Sequence, residues 1–451
     1  MLPKHIFILS SSGKPIFSRY GDEQELVSTF GLLQAVVSIV EGQGDTIKCI
    51  QAGKRRIVCF LRKALYFIAI SSTGETEAAL MRQLEFMYNQ VLLVLTDRVQ
   101  DILDHNSSKD LRDLLGSDTT RLLRASCVEE ITPYCIAFNA VQGFALEEET
   151  RGKLRIYLDE CVTSSGAAMG MMIHGDAILT YCLNGETPLN LEVDDVLQIC
   201  HFVGNSNSLR THDQNWVPLC LPKFNSKAML QAYVCNIHLV DTEDSVGSFD
   251  VSLILISPDP SLFKELHEGR EELQKKLLSP QAGLSERLVR SRDTQRGSLS
   301  KFLATTQCLH FFYKIQSSSG DDGDGLVSLN ERPAQCYSSK MEFPLDSREV
   351  QSLIWSNYQR LALCLRVGSS TAEASLVNPG DEGVLHGMSM DPSPSHAVSY
   401  AVLDSGQVVV GLATSDSELY TTFPGTMSGL EACSLTHTLQ RSLRLDKDLW
   451  L

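Results

Sequence analysis

The chain has 451 residues, of which 43% are hydrophobic and 21% are charged, and its formal net charge is -16. This length predicts about three domains of ~150 residues each, and the composition is that of a globular protein with hydrophobic cores. The acidic balance argues against a protein that binds nucleic acid through its overall charge, although a local basic patch facing a membrane stays compatible with it.

The cysteines and the termini indicate the compartment. There are 13 cysteines, an odd number, and no C-x-x-C spacing occurs. This pattern is typical of reduced, buried cysteines and not of disulfides or a zinc site. The N-terminus enters a strand without the apolar core of a signal peptide, and no apolar run approaches the ~20 residues of a membrane span. We therefore expect a cytoplasmic protein with no metal and no cofactor.

The first hundred residues predict a mixed α/β unit. Residues 4–10 and 14–20 flank Ser11-Ser12-Gly13 as a hairpin, and residues 26–40 predict a helix. The main apolar stripe of this helix has a 4-3-4-3 spacing and consists of Leu26, Phe30, Leu33, Val37 and Val40. Three further residues widen the apolar arc to about half of the circumference, namely Leu32, Val36 and Ile39. The surplus surface has two equally weighted explanations, a partner protein or a flanking segment of the same chain.

The rest of this unit and the segment after it follow in order. Residues 45–53, 54–63 and 64–70 read as strands; the last is apolar throughout, as in a central strand covered on both faces. Residues 75–96 predict a long helix and residues 97–105 a further helical piece. In residues 111–163 we expect a helix at 111–125, an extended piece at 134–146 and a helix at 147–161, together forming a covering and connecting layer.

The same order of elements recurs twice. Two hairpin strands flank Gly175, a helix follows at 191–203, and strands at 216–221, 229–240 and 248–256 precede a helix at 261–278. The third set runs from residue 305 to a closing helix at 427–443. The order β-β-α-β-β-β-α thus appears three times, and its short hairpins predict mainly antiparallel sheets. The stretch 280–299 between the second and third sets is the most basic, with Arg287, Arg290, Arg292 and Arg296. It predicts either a solvated connector or a contact with an anionic surface.

No catalytic constellation emerges from the sequence. A Walker loop and a G-x-S-x-G elbow are both absent, and the acidic run at 321–325 has glycine at two ligand positions of a calcium loop. Binding surfaces are therefore the expected mode of action. The segment NWVPLCLPKFN at 215–225 is unusual, because Pro218 and Pro222 punctuate a strand as at a sheet edge. Trp216 and Phe224 on that edge read either as a recognition surface or, for Trp216, as filling of the second core.

Four stretches, KHIFILSSSGKPIFSRYG, FGLLQAVVSIVE, IVCFLRKALYFIAISS and CLPKFN, closely resemble the SAND family of vacuolar fusion proteins, which form Mon–Ccz complexes. The resemblance implies an α/β (α+β) protein of three longin domains, each a five-stranded, mainly antiparallel sheet flanked by helices. We place these domains at 1–125, 166–280 and 301–451, with a connecting and covering segment at 126–165 and a basic linker at 281–300.

The resemblance also implies a function. Such proteins work as guanine nucleotide exchange factors for the late-endosomal and lysosomal Rab GTPase (Rab seven type), in an obligate heterodimer with a Ccz-type longin subunit. No covalent chemistry is needed, because an exchange factor stabilises the nucleotide-free GTPase. A third regulatory subunit is possible, and an early-endosomal Rab and anionic phosphoinositide membranes are the expected recruiters. The chain would then be cytoplasmic and recruited peripherally to endosomal and lysosomal membranes, with roles in fusion and autophagy.

From this resemblance we select three sets of contact residues. The expected partner interface is Leu26, Phe30, Leu33 and Val37, and the expected Rab-binding residues are Trp216, Phe224 and Asn225. The basic turn Lys54, Arg55 and Arg56 is a weaker candidate for membrane contact, with a solvated turn as its alternative. The alternative function is a longin-type scaffold or tether without exchange activity of its own.

Overall fold

The computed structural model describes the following residues: 4–21, 23–62, 64–105, 109–127, 133–185, 189, 191–206, 208–209, 214–240, 248–279, 283–294, 306–316, 334–339, 341, 344–367, 388–389, 396–403, 405–446 and 449. The chain divides into two compact units, each described by itself. The first comprises residues 1–138, 220–228 and 347–382. The second comprises residues 139–219, 229–346 and 383–451. In the described part of the chain, no helix has the length and apolar character needed to cross a membrane.

The first unit contains one five-stranded sheet and its helices. Its elements are β1 (Lys4–Ser10), β2 (Pro15–Ser18), α1 (Glu23–Glu41), β3 (Cys49–Ala52), β4 (Arg55–Arg62), β5 (Leu65–Ser71), α2 (Glu77–Leu95), α3 (Arg98–His105), α4 (Arg112–Ala125) and α5 (Tyr134–Phe138). All strand pairs are antiparallel, in the order β2-β1-β5-β4-β3. From β1 to α4 this is the predicted sequence of elements, and the mixed α/β architecture confirms the fold class.

The central strand β5 separates two hydrophobic cores. Phe67 belongs to the core that includes Leu80 and Leu84 of α2. Its neighbour Ile68 faces the other way and belongs to the core that includes Phe30 of α1. Successive side chains of a strand point to opposite faces, so a strand covered on both sides is apolar throughout. The continuous apolar run predicted for a central strand therefore has this physical origin.

Two elements from later in the chain also belong to the first unit, α8 (Pro222–Asn225) and α11 (Arg348–Val367). Trp355 of α11 stacks on Tyr134 with ring centroids 5.2 Å apart. The side-chain oxygen of Gln359 accepts a hydrogen bond of 3.3 Å from the backbone N–H of Thr76. Sequence order places α11 in the third set of elements, whereas its contacts place it in the first compact unit.

The second unit contains the other two sheets. Its elements are β6 (Val141–Gln142), α6 (Glu148–Ser165), β7 (Met169–His174), β8 (Ala177–Leu183), α7 (Val193–Asn205), β9 (Gln214–Leu219), β10 (Leu230–Val240), β11 (Ser248–Ser257), α9 (Phe263–Leu277), α10 (Leu284–Thr294), β12 (His310–Ile315), β13 (Gln335–Ser338), β14 (Met388–Ser389), β15 (His396–Val402), β16 (Val408–Thr414), β17 (Ser417–Phe423) and α12 (Gly429–Leu445).

One sheet has the order β8-β7-β11-β10-β9 and the other β14-β15-β16-β17-β12-β13-β6. The second of these exceeds the expected five strands because it gains two strands of two residues each, β14 and β6. Strand β6 pairs with β13 in parallel, and the next residue, Gly143, bridges Ile178 of β8. The segment that was predicted to connect domains thus joins the edges of two sheets within this unit.

The connecting segment differs from its prediction at residues 134–146. They form the short helix α5 and strand β6 instead of one extended piece. A run of apolar residues this short does not distinguish helix from strand by periodicity. The predicted helix that follows is confirmed as α6. It buries Leu154 and Leu158 in the core on the sheet of β7 to β11, which we call the second core.

The basic stretch is not a solvated connector over its described part. Residues 284–294 form α10, whose Leu284 and Leu288 are buried in the second core. Arg287 pairs with Glu149 at 3.1 Å and with Glu147 at 3.6 Å. Arg296 lies outside the described residues. The prediction rested on the arginines. The helix is instead positioned by Leu284 and Leu288, which are four residues apart and therefore form one apolar face.

Candidate functional site

Helix α1 has two faces that the sequence pattern did not separate. On its inner face Phe30 and Val37 are each only 2% exposed and pack into the core on β5. On its outer face Leu32 is 66% and Ile39 is 63% exposed. These two residues are seven apart and therefore lie on the same side of the helix. We call Leu32 and Ile39 the outer face of α1.

The selected partner-interface residues need correction. Phe30 and Val37 cover the chain's own sheet, and Leu33 is partly buried against the same core. Leu26 lies in α1, but its side chain is outside the described residues. The most regular apolar stripe is the one that a helix turns to its own sheet, so the surplus residues and not the stripe form the exposed surface.

Strand β9 lies at an edge of its sheet, as its prolines predicted. Among the described strands it pairs with β10 alone, and Trp216 stands opposite Tyr233. The Trp216 side chain is half-buried and packs against the second core. Its ring meets the ring of Phe263 edge-on at a centroid distance of 5.6 Å. Because Phe263 is 41% exposed, the two rings form an aromatic surface at the sheet edge.

Phe263 was not among the contact residues predicted from the sequence, although its position in the chain indicates an exposed contact. It is the first residue of α9 and lies three residues after Pro260, the last residue of the Pro258-Asp259-Pro260 break. An apolar residue at the start of a helix rich in Glu and Lys is a candidate for an exposed contact. His267, one turn further on, lies parallel to Phe263 with centroids 6.4 Å apart and accepts or donates a 3.0 Å hydrogen bond with the Tyr233 hydroxyl.

The residues Phe224 and Asn225 lie on a single helical turn, α8, in the first unit. Phe224 is 38% exposed, and Asn225 is exposed as well. The side-chain oxygen of Asn225 accepts a 3.0 Å hydrogen bond from the backbone N–H of Lys227, which closes the turn. Trp216 belongs to the second unit and is described within it.

The basic turn is only partly available for an anionic surface. Gly53 takes a positive φ of 60° at the β3–β4 hairpin, and the Lys54 side chain is exposed. The guanidinium of Arg56 donates hydrogen bonds to the side-chain oxygen of Gln51 and to the carbonyl oxygen of Glu75. Arg55 is half-buried. Lys54 is thus the member of the three that projects furthest into solvent.

Two buried titratable sites lie in the cores. Lys4 donates a 2.9 Å hydrogen bond to the Glu75 carboxylate, and both side chains are fully buried. Burial lowers the pKa of Lys4, while the charge of Glu75 acts in the opposite direction. In the second unit, burial lowers the pKa of His310 to about 3, so this imidazole is neutral; its Nε2 lies 3.0 Å from the Ser338 hydroxyl. Both Lys4 and His310 are fully buried, so neither side chain forms a surface contact.

The family model described as the first longin domain of FUZ, MON1 and HPS1 matches residues 4–124, and the model of their second longin domain matches residues 181–275. A vacuolar fusion protein MON1 homolog of Oryza sativa is 33% identical over 371 residues, which cover 79% of this chain and 63% of the rice protein. The chain belongs to the SAND family of vacuolar fusion proteins.

Other relatives in the SAND family give the same picture. A MON1 homolog of Arabidopsis thaliana is 30% identical over 381 residues, covering 81% of this chain and 59% of the plant protein. Protein SAND of Takifugu rubripes is 28% identical over 343 residues, covering 75% and 61%, respectively. The chain thus spans about three fifths of the length of these curated relatives. The two matched ranges contain α1, the basic turn, Trp216, Phe224 and Asn225.

Proposed function

We propose that this chain is a subunit of a heteromeric guanine nucleotide exchange factor that activates a late-endosomal and lysosomal Rab GTPase. The names of the relatives, vacuolar fusion protein and SAND, support a role in vacuolar and endosomal trafficking. The observation that carries the proposal is the outer face of α1, which holds two large aliphatic side chains in solvent. Contiguous apolar surface patches mark protein interfaces, and we take Leu32 and Ile39, on one side of the same helix, as the centre of such a patch.

The chain would act by selective binding. An exchange factor accelerates GDP release by binding the nucleotide-free GTPase more tightly than the GDP-bound form, and each tenfold preference corresponds to about 1.4 kcal/mol. Trp216 with Phe263 offers an aromatic anchor, a type of residue that concentrates interface energy. Phe224 and Asn225 offer a second contact that combines an apolar ring with an amide. We assign both surfaces to the Rab GTPase.

Further contacts follow from the same proposal. The outer face of α1 would bind a Ccz-type longin subunit as an obligate heterodimer, and a third regulatory subunit would join this pair. Lys54 would contact anionic phosphoinositide membranes, to which the cytoplasmic complex is recruited together with an early-endosomal Rab. Endosome maturation, membrane fusion and autophagy would depend on this recruitment.

A second candidate function is a longin-type scaffold or tether without exchange activity of its own. The exposed surfaces favour this function equally, because they indicate that the chain binds other proteins but not whether binding accelerates nucleotide exchange. The two functions differ in one measurement. GDP release from the Rab is followed by fluorescence with this chain alone, with the Ccz-type subunit alone and with both.

The exchange proposal expects acceleration by the pair, and unaccelerated release would leave the scaffold. Within an active pair, Trp216→Ala should slow exchange because it removes the anchor. Ile156→Ala provides a matched control, since Ile156 is 57% exposed on α6 and has no assigned contact. Equal rates for Trp216→Ala and the unchanged chain would assign Trp216 to the core alone.

A further inference from the structure

The segment 220–228 leaves its sequence neighbours and docks on the first unit. It connects β9 with β10, both of which belong to the second unit, yet it is counted with the first. Two backbone hydrogen bonds fix it there. The N–H of Cys220 donates to the carbonyl oxygen of Leu93 at 2.9 Å, and the N–H of Asp97 donates to the carbonyl oxygen of Ser226 at 2.8 Å. One bond lies on each side of α8, so the turn is held at both ends.

The receiving site is the junction of α2 and α3, residues 93–97, which we call the elbow. At its centre Thr96 has φ 58° and ψ -176°, a backbone conformation that is almost restricted to glycine. For a β-branched residue this is a true outlier. The conformation is held by a 2.8 Å bond from the Thr96 N–H to the Leu92 carbonyl, and Thr96 is buried.

Backbone strain of this kind persists only where the surrounding structure requires it, and it concentrates at functional positions. Here the strained residue immediately precedes Asp97, whose N–H receives the segment. The sharp bend at Thr96 ends α2 while Leu93 keeps a carbonyl oxygen for Cys220, because the last carbonyls of a helix have no partner within it. The elbow thus offers one donor and one acceptor to an incoming loop.

A charged pair adds side-chain contact to these backbone bonds. The ammonium group of Lys223 lies 3.0 Å from the carboxylate of Glu85 on α2, and both side chains are 30% exposed. Lys223 directly precedes Phe224, so the pair fixes the turn next to the exposed ring. A pair this accessible contributes modestly to stability, but it defines orientation.

We infer that the elbow, with Glu85, is a positioning platform that presents Phe224 and Asn225 to the GTPase. This inference rests on the proposed exchange function. Glu85 and Lys223 are positioning residues in this scheme: they act through Phe224. Phe224 and Asn225 lie in the segment between β9 and β10. In this scheme, the first unit determines how these two residues are oriented toward the GTPase.

The test reverses the charged pair in the full chain bound to its Ccz-type subunit. Glu85→Lys sets two ammonium groups against each other, so GDP release should slow about three- to tenfold. Adding Lys223→Glu restores the attraction with swapped signs and should return the rate to within about twofold. The matched control is Lys153→Glu, which sets two carboxylates against each other in the exposed pair with Glu149 on α6. This variant should leave the rate unchanged.

A second readout does not depend on activity. Hydrogen exchange of the Asp97 and Cys220 amides should be slow in the unchanged chain, faster in Glu85→Lys and slow again in the swapped variant. The inference is overturned if Glu85→Lys exchanges nucleotide at the normal rate, or if the swapped variant regains amide protection without regaining activity. Failure of the unchanged pair to accelerate GDP release defeats the exchange proposal instead, and amide protection at the elbow then reports docking alone.

Discussion

The outer face of α1 allows a quantitative prediction. Replacing Leu32 and Ile39 together by aspartate should abolish tight binding to the proposed longin partner and leave the chain folded. Both side chains lie mostly in solvent, so the change removes little of the chain's own packing. The opposite pair, Phe30 and Val37, is unsuitable for such a test, because aspartate there would place charges inside the core on β5.

The magnitude follows from the area that a partner can still cover. Complete burial of a Leu or Ile side chain is worth roughly 1.5–3 kcal/mol. With 66% of Leu32 and 63% of Ile39 exposed, covering them contributes about 1–2 kcal/mol each. Their loss should therefore weaken the complex by about 2–4 kcal/mol, or about 30- to 700-fold in Kd. Desolvation of the new carboxylates adds to this value.

The assay is a titration of the purified chain with the Ccz-type subunit, read by biolayer interferometry. Ile156→Asp serves as the matched control, because Ile156 is a similarly exposed aliphatic residue on another helix. Thermal unfolding of the unbound variants verifies that they fold. A double variant that stays folded and binds with a Kd within twofold of the unchanged chain would refute the assignment of this face.

Three further predictions concern stability. Gly143→Ala should destabilise the second unit by about 1–3 kcal/mol, since a Cβ there would overlap a tyrosine side chain, whereas Gly152→Ala on the open surface of α6 should stabilise by about 0.5–1 kcal/mol in chemical denaturation. Because the pKa of His310 is lowered to about 3, its stabilising contribution is complete above pH ~6.5 and declines by up to about 1.4 kcal/mol per pH unit as the pH falls toward 3. His310→Gln should show a shallower dependence in urea titrations between pH 7 and 5, and an equal slope would contradict burial of a neutral imidazole. Lys4→Met should destabilise the first unit by about 3–5 kcal/mol because it leaves a buried carboxylate, and addition of Glu75→Leu should restore most of this loss as measured by amide exchange in β5.

The sequence predicts the elements well where the apolar pattern allows only one interpretation. Strand β5 is apolar on both faces and was recognisable from seven residues. The order β-β-α-β-β-β-α is found in the first set of elements; the second set adds the turn α8 after β9, and the third adds the strand β14. The faces of α1 were not separable, because an apolar arc of half a circumference contains two stripes. Which of them meets the sheet depends on packing that acts across the chain and not within the helix.

The packing of α11 and α8 against the first unit also could not be predicted from the sequence. The pattern of α11 predicts a helix but not the unit that receives it, since Trp355 and Tyr134 are separated by nearly half of the chain and meet only in the fold. The same holds for α8, which the prolines identified as a break in a strand. That the turn α8 would be held at the end of α2 follows from the carbonyl oxygen of Leu93, which accepts from the Cys220 N–H because the helix ends there.

The membership of α11 in the first unit has a consequence for biosynthesis. The hydrogen bond between Thr76 and Gln359 joins residues 283 positions apart. At the usual ~5–20 residues per second, the ribosome needs roughly 15–60 s to supply the second partner after the first. During this interval the N-terminal sheet exists without its last helix, and Tyr134 lacks its stacking partner Trp355. A nascent chain of this kind has a long interval in which chaperones can bind, and its N-terminal unit is completed only when most of the chain has emerged.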